Sequence, residues 1–412
     1  MAAQGRAAGR LMAEWQRCKA VRGSWTASRR RLWLAALLVG AAVAFGACTG
    51  GEGINEPLAP PDGTNELDEA EVPGAGLVAP TVIRALTYDG SGELVHPDAA
   101  VFPSRWRGQR YWVSATPYPG GNPRYENPSI YQGQLSREMK VPAGVANPIV
   151  PPPAAGYLSD PDVVYDPDRD ELRMYYRETA REDDRIYLIT STNGVQWSPA
   201  QPVASGVRYS LISPSVVRES ATSWRMWTVN AAAQGCFSLP SELLLEQRRS
   251  VDGVAWSAPE RVDLRVPGRV AWHWDVQYVA AKSEYWALVA AYPQGTSCSQ
   301  TAVYFARSAD GTTWNVSPTP LLGANEFDPI RDVVYRSSFH YHDGSDAVSV
   351  WFSGARLEGK VFRYAMVSAR YPYPELLRRV GGLAPLALDR EGTRAVSAEL
   401  SAAREAFERD FP

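Results

Sequence analysis

Among the stretches of this 412-residue chain that set a histidine or an aspartate two residues ahead of an aspartate, three open apolar runs: His96-Pro97-Asp98, Asp160-Pro161-Asp162 and His273-Trp274-Asp275. A fourth, Ser213-Pro214-Ser215, keeps the spacing with hydroxyls. Carboxylates facing one another across a cleft can cleave a glycosidic bond. One acid protonates the leaving oxygen while the other activates a water, at ~6.5–9.5 Å in inverting enzymes. Histidines beside them would hydrogen-bond a sugar. These stretches are far apart in the chain, so the chemistry depends on a scaffold that brings them together.

A repeat supplies that scaffold. STNGVQWS from Ser191, SVDGVAWS from Ser250 and SADGTTWN from Ser308 match one another at an almost constant spacing. Each closes a strand-like run (RIYLITS, LLLEQRRS, AVYFARS), and two further runs of this type, SIYQGQLS and FRYAMVS, lie one period out on either side. Upstream of each is an aromatic-rich second strand (RYWVSATPY, LRMYYRE, WRMWTVN, YWALVAAY, VSVWFSG), and ahead of that an apolar first strand. β-Branched and aromatic runs bounded by Gly, Pro, Asp and Asn are strand signals. A period of this size with several strands per unit predicts an all-β propeller of five blades over 81–373. The repeated turns resemble Asp-box turns, with Asn/Asp-Gly supplying the positive φ of a tight hairpin, and are read as architecture.

In a propeller the first strand of every blade lines the channel, so side chains at the strand entrances converge on the axis. The entrances offer His96 and Asp98, Asp160 and Asp162, Ser213 and Ser215, His273 and Asp275, and in the fifth blade Asp328, Arg331 and Asp332. The loop between second and third strands of the first blade adds Tyr125, Glu126 and Asn127, and that of the second adds Arg177 and Glu178. Trp106, Tyr111, Trp112, Tyr118, Tyr125, Trp272 and Trp274 lie near the entrances, and two or three of these rings are expected to reach the channel to stack on sugar. No loop has diagnostic metal-ligand spacing, so no metal is assigned and no cofactor expected, apart from a structural Ca²⁺ that channel oxygens could take. No Walker loop, H-E-x-x-H or G-x-S-x-G occurs.

Residues 1–47 read as a secretory signal: a basic stretch ending in Arg29, Arg30 and Arg31 precedes the uncharged run LWLAALLVGAAVAFGAC. Its end, Phe45-Gly46-Ala47-Cys48, resembles a bacterial lipobox, which makes Cys48 the expected lipidation site and the cell envelope the expected location. Residues 48–80, rich in Gly, Pro and acids without a period, read as a tether. Without residues 1–47 the charge is 34 bases against 44 acids, 34 − 44 = −10, which argues against a nucleic-acid partner. Cys236 and Cys298 then remain in an oxidising compartment, in equivalent loops of neighbouring blades, and are expected to pair. Residues 374–412 include a stretch of helical spacing and alternating charge, read as a surface helix after the last blade. A monomer is expected.

With HPD, TPYP and YENPSI between His96 and Ile130, SDPD followed by MYYR between Ser159 and Arg177, and YRSSF from Tyr335, the chain resembles the five-bladed propeller glycoside hydrolases of the family 43 and family 32 type, and more closely an uncharacterised branch of them that carries these motifs. The likeness runs over about residues 95–372. It implies a general-base aspartate in the first blade, which Asp98 fits, and a pKa-tuning aspartate in the second, where Asp162 or Asp160 stands. The third blade departs from the pattern, because Ser213 and Ser215 occupy the place of the general-acid glutamate and Glu219 lies at the far end of that strand. Glu126 is therefore assigned as general acid, with Asp275 its rival. His96, Asp160, Tyr125, Asn127, His273 and Asp275 are assigned to substrate binding. The resulting expectation is an exported glycoside hydrolase acting on polysaccharide or oligosaccharide. The missing third-blade acid leaves a glycan-binding propeller without turnover as the alternative.

Overall fold

The computed structural model describes residues 78–383, apart from 134–137, 233–234, 238–242, 297 and 299. The expected signal, Cys48, almost all of the tether and the stretch from 384 onward lie outside these residues.

The described strands form three antiparallel sheets of four and one sheet of eight, which divides at its single parallel pairing into two antiparallel groups of four. The first blade runs β2 (Leu94–Trp106), β3 (Gln109–Pro117), β4 (Ser129–Gly133) and β5 (Glu138–Lys140) from the axis outward. The second has β6 (Tyr157–Asp166), β7 (Glu171–Thr179), β8 (Asp183–Ser191) and β9 (Gln201–Val207). The third has β10 (Ile212–Ser220), β11 (Ser223–Asn230), β12 (Leu244–Ser250) and β13 (Glu260–Arg261). The fourth has β14 (Arg269–Val279), β15 (Glu284–Pro293), β16 (Ala302–Ser308) and β17 (Asn315–Val316). The fifth has β18 (Val333–His342), β19 (Ala347–Glu358) and β20 (Val361–Pro372), and takes its outer strand from the first of the described residues, β1 (Val78–Ala85).

β1 pairs antiparallel with β20 through Thr81 opposite Ser368, and parallel with β5 through Arg84 opposite Glu138. β1 thus ties the last blade to the first and closes the ring. It begins at Val78, slightly ahead of the boundary expected from composition. The β-propeller read from the repeat is the fold observed.

The core is divided among the seams between blades. One buried cluster lies at each of the five junctions, for example Trp112 with Leu158 and Met174 between the first and second blades, and Trp351 with Leu94 and Val113 between the fifth and first. The second strands carry the large rings of these clusters. Trp112, Trp227, Trp286 and Trp351 are all essentially buried.

The repeated turns sit at the ends of β8, β12 and β16. In each, the serine hydroxyl accepts from the glycine N–H at 2.8–2.9 Å and the Asn or Asp oxygen accepts from the two following amides. Each glycine backs onto the second strand of the preceding blade. A Cβ at Gly194, whose φ is +72°, would lie 2.1 Å from Trp112, which is why glycine stands there. Tyr175 and Trp227 donate to the carbonyls of Gly253 and Gly311 in the same way. These turns are blade fasteners. They lie at the face opposite the entrances of the inner strands. The Cys236–Cys298 bridge, with Cα atoms 5.3 Å apart, fastens the third blade to the fourth at the entrance face as expected. A short helix, α1 (Tyr373–Arg379), follows the last blade.

Candidate functional site at the channel mouth

All five inner strands break register near their entrance: between Val95 and Asp98, Ser159 and Asp162, Ile212 and Ser215, Ala271 and His273, and Val334 and Ser337. In three of them the residue ahead of proline takes a left-handed backbone: His96 (φ 55°), Asp160 (φ 52°) and Ser213 (φ 50°). Non-glycine residues there cost of order 1–3 kcal/mol each and persist only where their surroundings hold them. A bulge re-aims side chains. Here its result is that the first and the third residue of each tripeptide both turn into the channel, in two layers.

The outer layer is His96, Asp160 and His273, all essentially buried. His96 Nδ1 lies 3.1 Å from Thr116 Oγ1 and its Nε2 lies 3.3 Å from Asp160 Oδ1. His273 Nδ1 lies 2.5 Å from Ser213 Oγ and 3.6 Å from Asp160 Oδ1. Asp160 Oδ2 accepts from the Ser159 hydroxyl and forms an ion pair with Arg177 Nε, both at 3.1 Å. Three atoms are left buried without a hydrogen-bond partner: His96 Nε2, His273 Nε2 and Asp160 Oδ1. Glu126 stands beside them, with Oε1 3.8 Å from His96 Nδ1. Tyr335 leans its ring on both imidazoles, with centroids 5.1 Å from His96 and 4.6 Å from His273, and Tyr118 stacks parallel to Tyr335 at 6.4 Å.

Burial sets the protonation states. It pushes His96 down to about 4, against the pull of Asp160, and His273 well below its ordinary value, so both imidazoles are neutral. Burial alone would raise Asp160, but His96, Arg177, His273 and Arg336 outweigh it and hold its carboxyl well below the usual carboxylate range, with Arg177 the nearest permanent cation at 3.1 Å. Glu126 is raised well above the usual carboxylate range, by burial and then by the charge of Asp160. The Tyr335 phenol is raised well above 10 by burial and then by Glu126, so it keeps its proton.

The inner layer is a closed ring of ties between blades. Asp98 Oδ2 accepts from the Val163 N–H at 2.5 Å, Asp162 Oδ2 from Val216 at 3.0 Å, and Ser215 Oγ from Val276 at 2.8 Å. Asp275 Oδ2 accepts from Phe339 at 3.3 Å, and the Ser338 hydroxyl donates to Asp98 Oδ1 at 3.0 Å. Each inner strand is hydrogen-bonded to the next by the third residue of its tripeptide. Burial raises Asp98 and Asp162, and raises Asp275 to about 7. Arg336, wholly buried, fills the axis between the layers.

The structure therefore brings His96, Asp160, His273 and Glu126 together at the mouth. Asp98, Asp162 and Asp275 lie beneath them, with carboxylate oxygens within 4.8 Å of one another and engaged by neighbouring blades. Asn127 is buried in its loop, donating to Tyr88 Oη and the Arg124 carbonyl, and Tyr125 points outward, 39% exposed. The fifth-blade entrance lies later than expected: Asp328 and Arg331 pair with each other at the surface, and Tyr335, Arg336 and Ser338 face the channel. Arg336 and Tyr335 were within reach of sequence reading as part of YRSSF. Thr116 carried no signal, because a threonine on a second strand is ordinary.

Fold and site together define a β-propeller with an enclosed polar centre at one mouth of its channel. The chain is 30% identical over 312 residues to the A type blood N-acetyl-α-D-galactosamine deacetylase of Flavonifractor plautii. The match covers 63% of this chain and spans about 40% of the length of that curated relative. A crystal structure of an N-acetylgalactosamine deacetylase from F. plautii in complex with blood group B trisaccharide superposes with a TM-score of 0.66 at 23% identity, over 75% of this chain and 97% of that one. The β-1,2-mannobiose phosphorylase of Listeria innocua superposes with a TM-score of 0.50 at 10% identity, over 70% and 92%. No protein-family model matches the chain. These similar proteins are carbohydrate-active enzymes. The reaction in the curated relative's name is deacetylation, which is not the glycosidic cleavage expected from the sequence.

Proposed function

We propose that the chain hydrolyses the N-acetyl group of an amino sugar in a glycan, using a divalent metal ion held by His96, Asp160 and His273. One observation carries this reading. Each of the three residues has one polar atom tied to a neighbour and another left buried and unpartnered, and ligand atoms of all three lie within 4.8 Å of one another. Buried polar atoms without partners are costly, and three that converge fit a cation. Two neutral imidazoles and one carboxylate suit a transition-metal ion better than Ca²⁺, which prefers oxygen throughout. When bound, such an ion would polarise the acetyl carbonyl and lower the proton affinity of water.

The protein's own groups supply the rest. Glu126, whose proton affinity is raised by burial and by the charge of Asp160, takes a proton from water as the water oxygen bonds to the acetyl carbonyl carbon. It returns that proton to the sugar nitrogen as the C–N bond breaks, leaving acetate and a free amine. Tyr335 keeps its phenolic proton and can donate it to the oxygen on which charge develops. Glycosidic cleavage by Asp98 and Asp162 is less well supported, since their oxygens are hydrogen-bonded to Val163, Ser338 and Val216.

The test is incubation with oligosaccharides ending in N-acetylhexosamine, with Mn²⁺ or Zn²⁺ present, scoring acetate and new primary amine against new reducing ends. Acetate with matching amine supports the assignment. New reducing ends without acetate would overturn it in favour of glycosidic cleavage.

A further inference from the structure

Two of the three left-handed residues at the mouth, Asp160 and Ser213, precede prolines whose carbonyls meet the same side chain. Arg336 crosses the channel from the fifth blade, donating from Nη1 to Pro161 O at 3.1 Å and from Nη2 to Pro214 O at 3.2 Å. Its guanidinium is wholly buried, 4.0 Å from Asp160 Oδ1 in one layer and 3.6 Å from Asp162 Oδ1 in the other. A strained backbone persists where its surroundings over-determine it, and a planar fork that donates to two carbonyls at once is a geometry that lysine cannot copy.

We infer that Arg336 is the positioning residue of the mouth, a clamp that holds the Asp160-Pro161 and Ser213-Pro214 backbones in their left-handed form. It thereby aims Asp160, and Ser213 with the His273 imidazole that Ser213 touches, at the common centre. Its consequence for ion binding rests on the proposed function; its effect on the backbone does not. The residues it aims come from the second, third and fourth blades, while the clamp itself belongs to the fifth.

Arg336→Met alone would leave buried carboxylates without their cation, and such a variant can fail to fold. The main test is therefore Arg336→Met combined with Asp162→Asn, which removes the guanidinium together with the Asp162 carboxyl that faces it at 3.6 Å, while the asparagine oxygen still accepts from Val216. Arg336→Lys, which keeps the charge and loses the fork, is the second variant. Two readouts are taken: affinity for Mn²⁺ or Zn²⁺ by competition with a chromophoric chelator, and the φ angles of residues 160 and 213 in crystal structures.

The clamp predicts that in both variants these angles leave the region near +50° and that ion affinity falls by about 10–100-fold, the usual cost of losing a supporting contact around a metal site. Angles that stay near +50° in either folded variant overturn the clamp, whatever the ion does. If the wild-type protein binds no divalent ion, the proposed function falls, and the angles still decide the role of Arg336.

Discussion

The mouth of the channel and the layer beneath it are built from the same inner-strand tripeptides, yet they stand in opposite states of satisfaction. Below, Asp98, Asp162, Ser215 and Asp275 each accept a backbone N–H from the next blade, and Ser338 completes the circuit. Above, His96, Asp160 and His273 keep one unpartnered atom apiece. Both layers are buried and both contain carboxylates, so neither burial nor residue type separates structure from chemistry here. Hydrogen-bond accounting does. On that accounting one set of acids closes a ring between blades, and the neighbouring, unfinished set is the one to which the proposed function gives a ligand.

If the comparison is right, the largest effects come from the outer layer. Asp160→Asn should bring acetate release to background and abolish measurable binding of Mn²⁺, while the far-ultraviolet circular dichroism stays that of the wild type. Retained ion binding would show that the unfinished layer is not a metal centre. Glu126→Gln follows, with an expected loss of about 10²–10⁴-fold in kcat, the range for removing a general acid–base group, and ion affinity unchanged. Loss of ion affinity in that variant would move Glu126 from proton transfer to ligation. Thr116→Val, which removes the partner of His96 Nδ1, should weaken ion binding by about 10–100-fold, and Thr116→Ser should restore it.

The fold was legible because its signals are local and repeated. Asn/Asp-Gly turns demand glycine backbone angles, and the aromatic second strands fill the seams, so blades announced themselves in STNGVQWS and its copies. The short outer strands did not: β13 and β17 have two residues each, too few to show alternation. The site was half legible. His96, Asp160 and His273 were marked by type and by position at strand entrances, and Glu126 by the absence of another glutamate. What spacing could not say was which residue of each tripeptide would be used up. Asp98 and Asp160 stand in similar strings, and only the path of the adjacent blade, with Val163 N–H waiting 2.5 Å from Asp98, assigns them different work. Arg336 was missed for a related reason, since a lone arginine on an inner strand acquires meaning only when blades two and three meet it across the axis.

The smallest effects on chemistry should come from the inner layer, where stability is the quantity to watch. Asp98→Ala orphans the Val163 N–H and the Ser338 hydroxyl, at about 1–3 kcal/mol for a buried group left unpaired, and chemical denaturation should show this loss while kcat stays within a few-fold of wild type. Asp275 gives a prediction with a sign. Its carboxyl is raised from 3.8 to about 7, by burial and then by Asp98, against the opposing pull of Arg336, so the folded state holds the proton more tightly than the unfolded chain does. The contribution to stability is therefore fully present below about pH 4 and is lost as pH rises to about 7. Asp275→Asn cannot titrate there, yet its side-chain oxygen still accepts from Phe339. The wild type should lose stability relative to this variant as pH rises across that window, measured by urea denaturation of the ion-free proteins. A difference that stays flat would mean that the inner acids are already ionised and solvated, and the contrast between a finished layer and an open one would fail at its lower half.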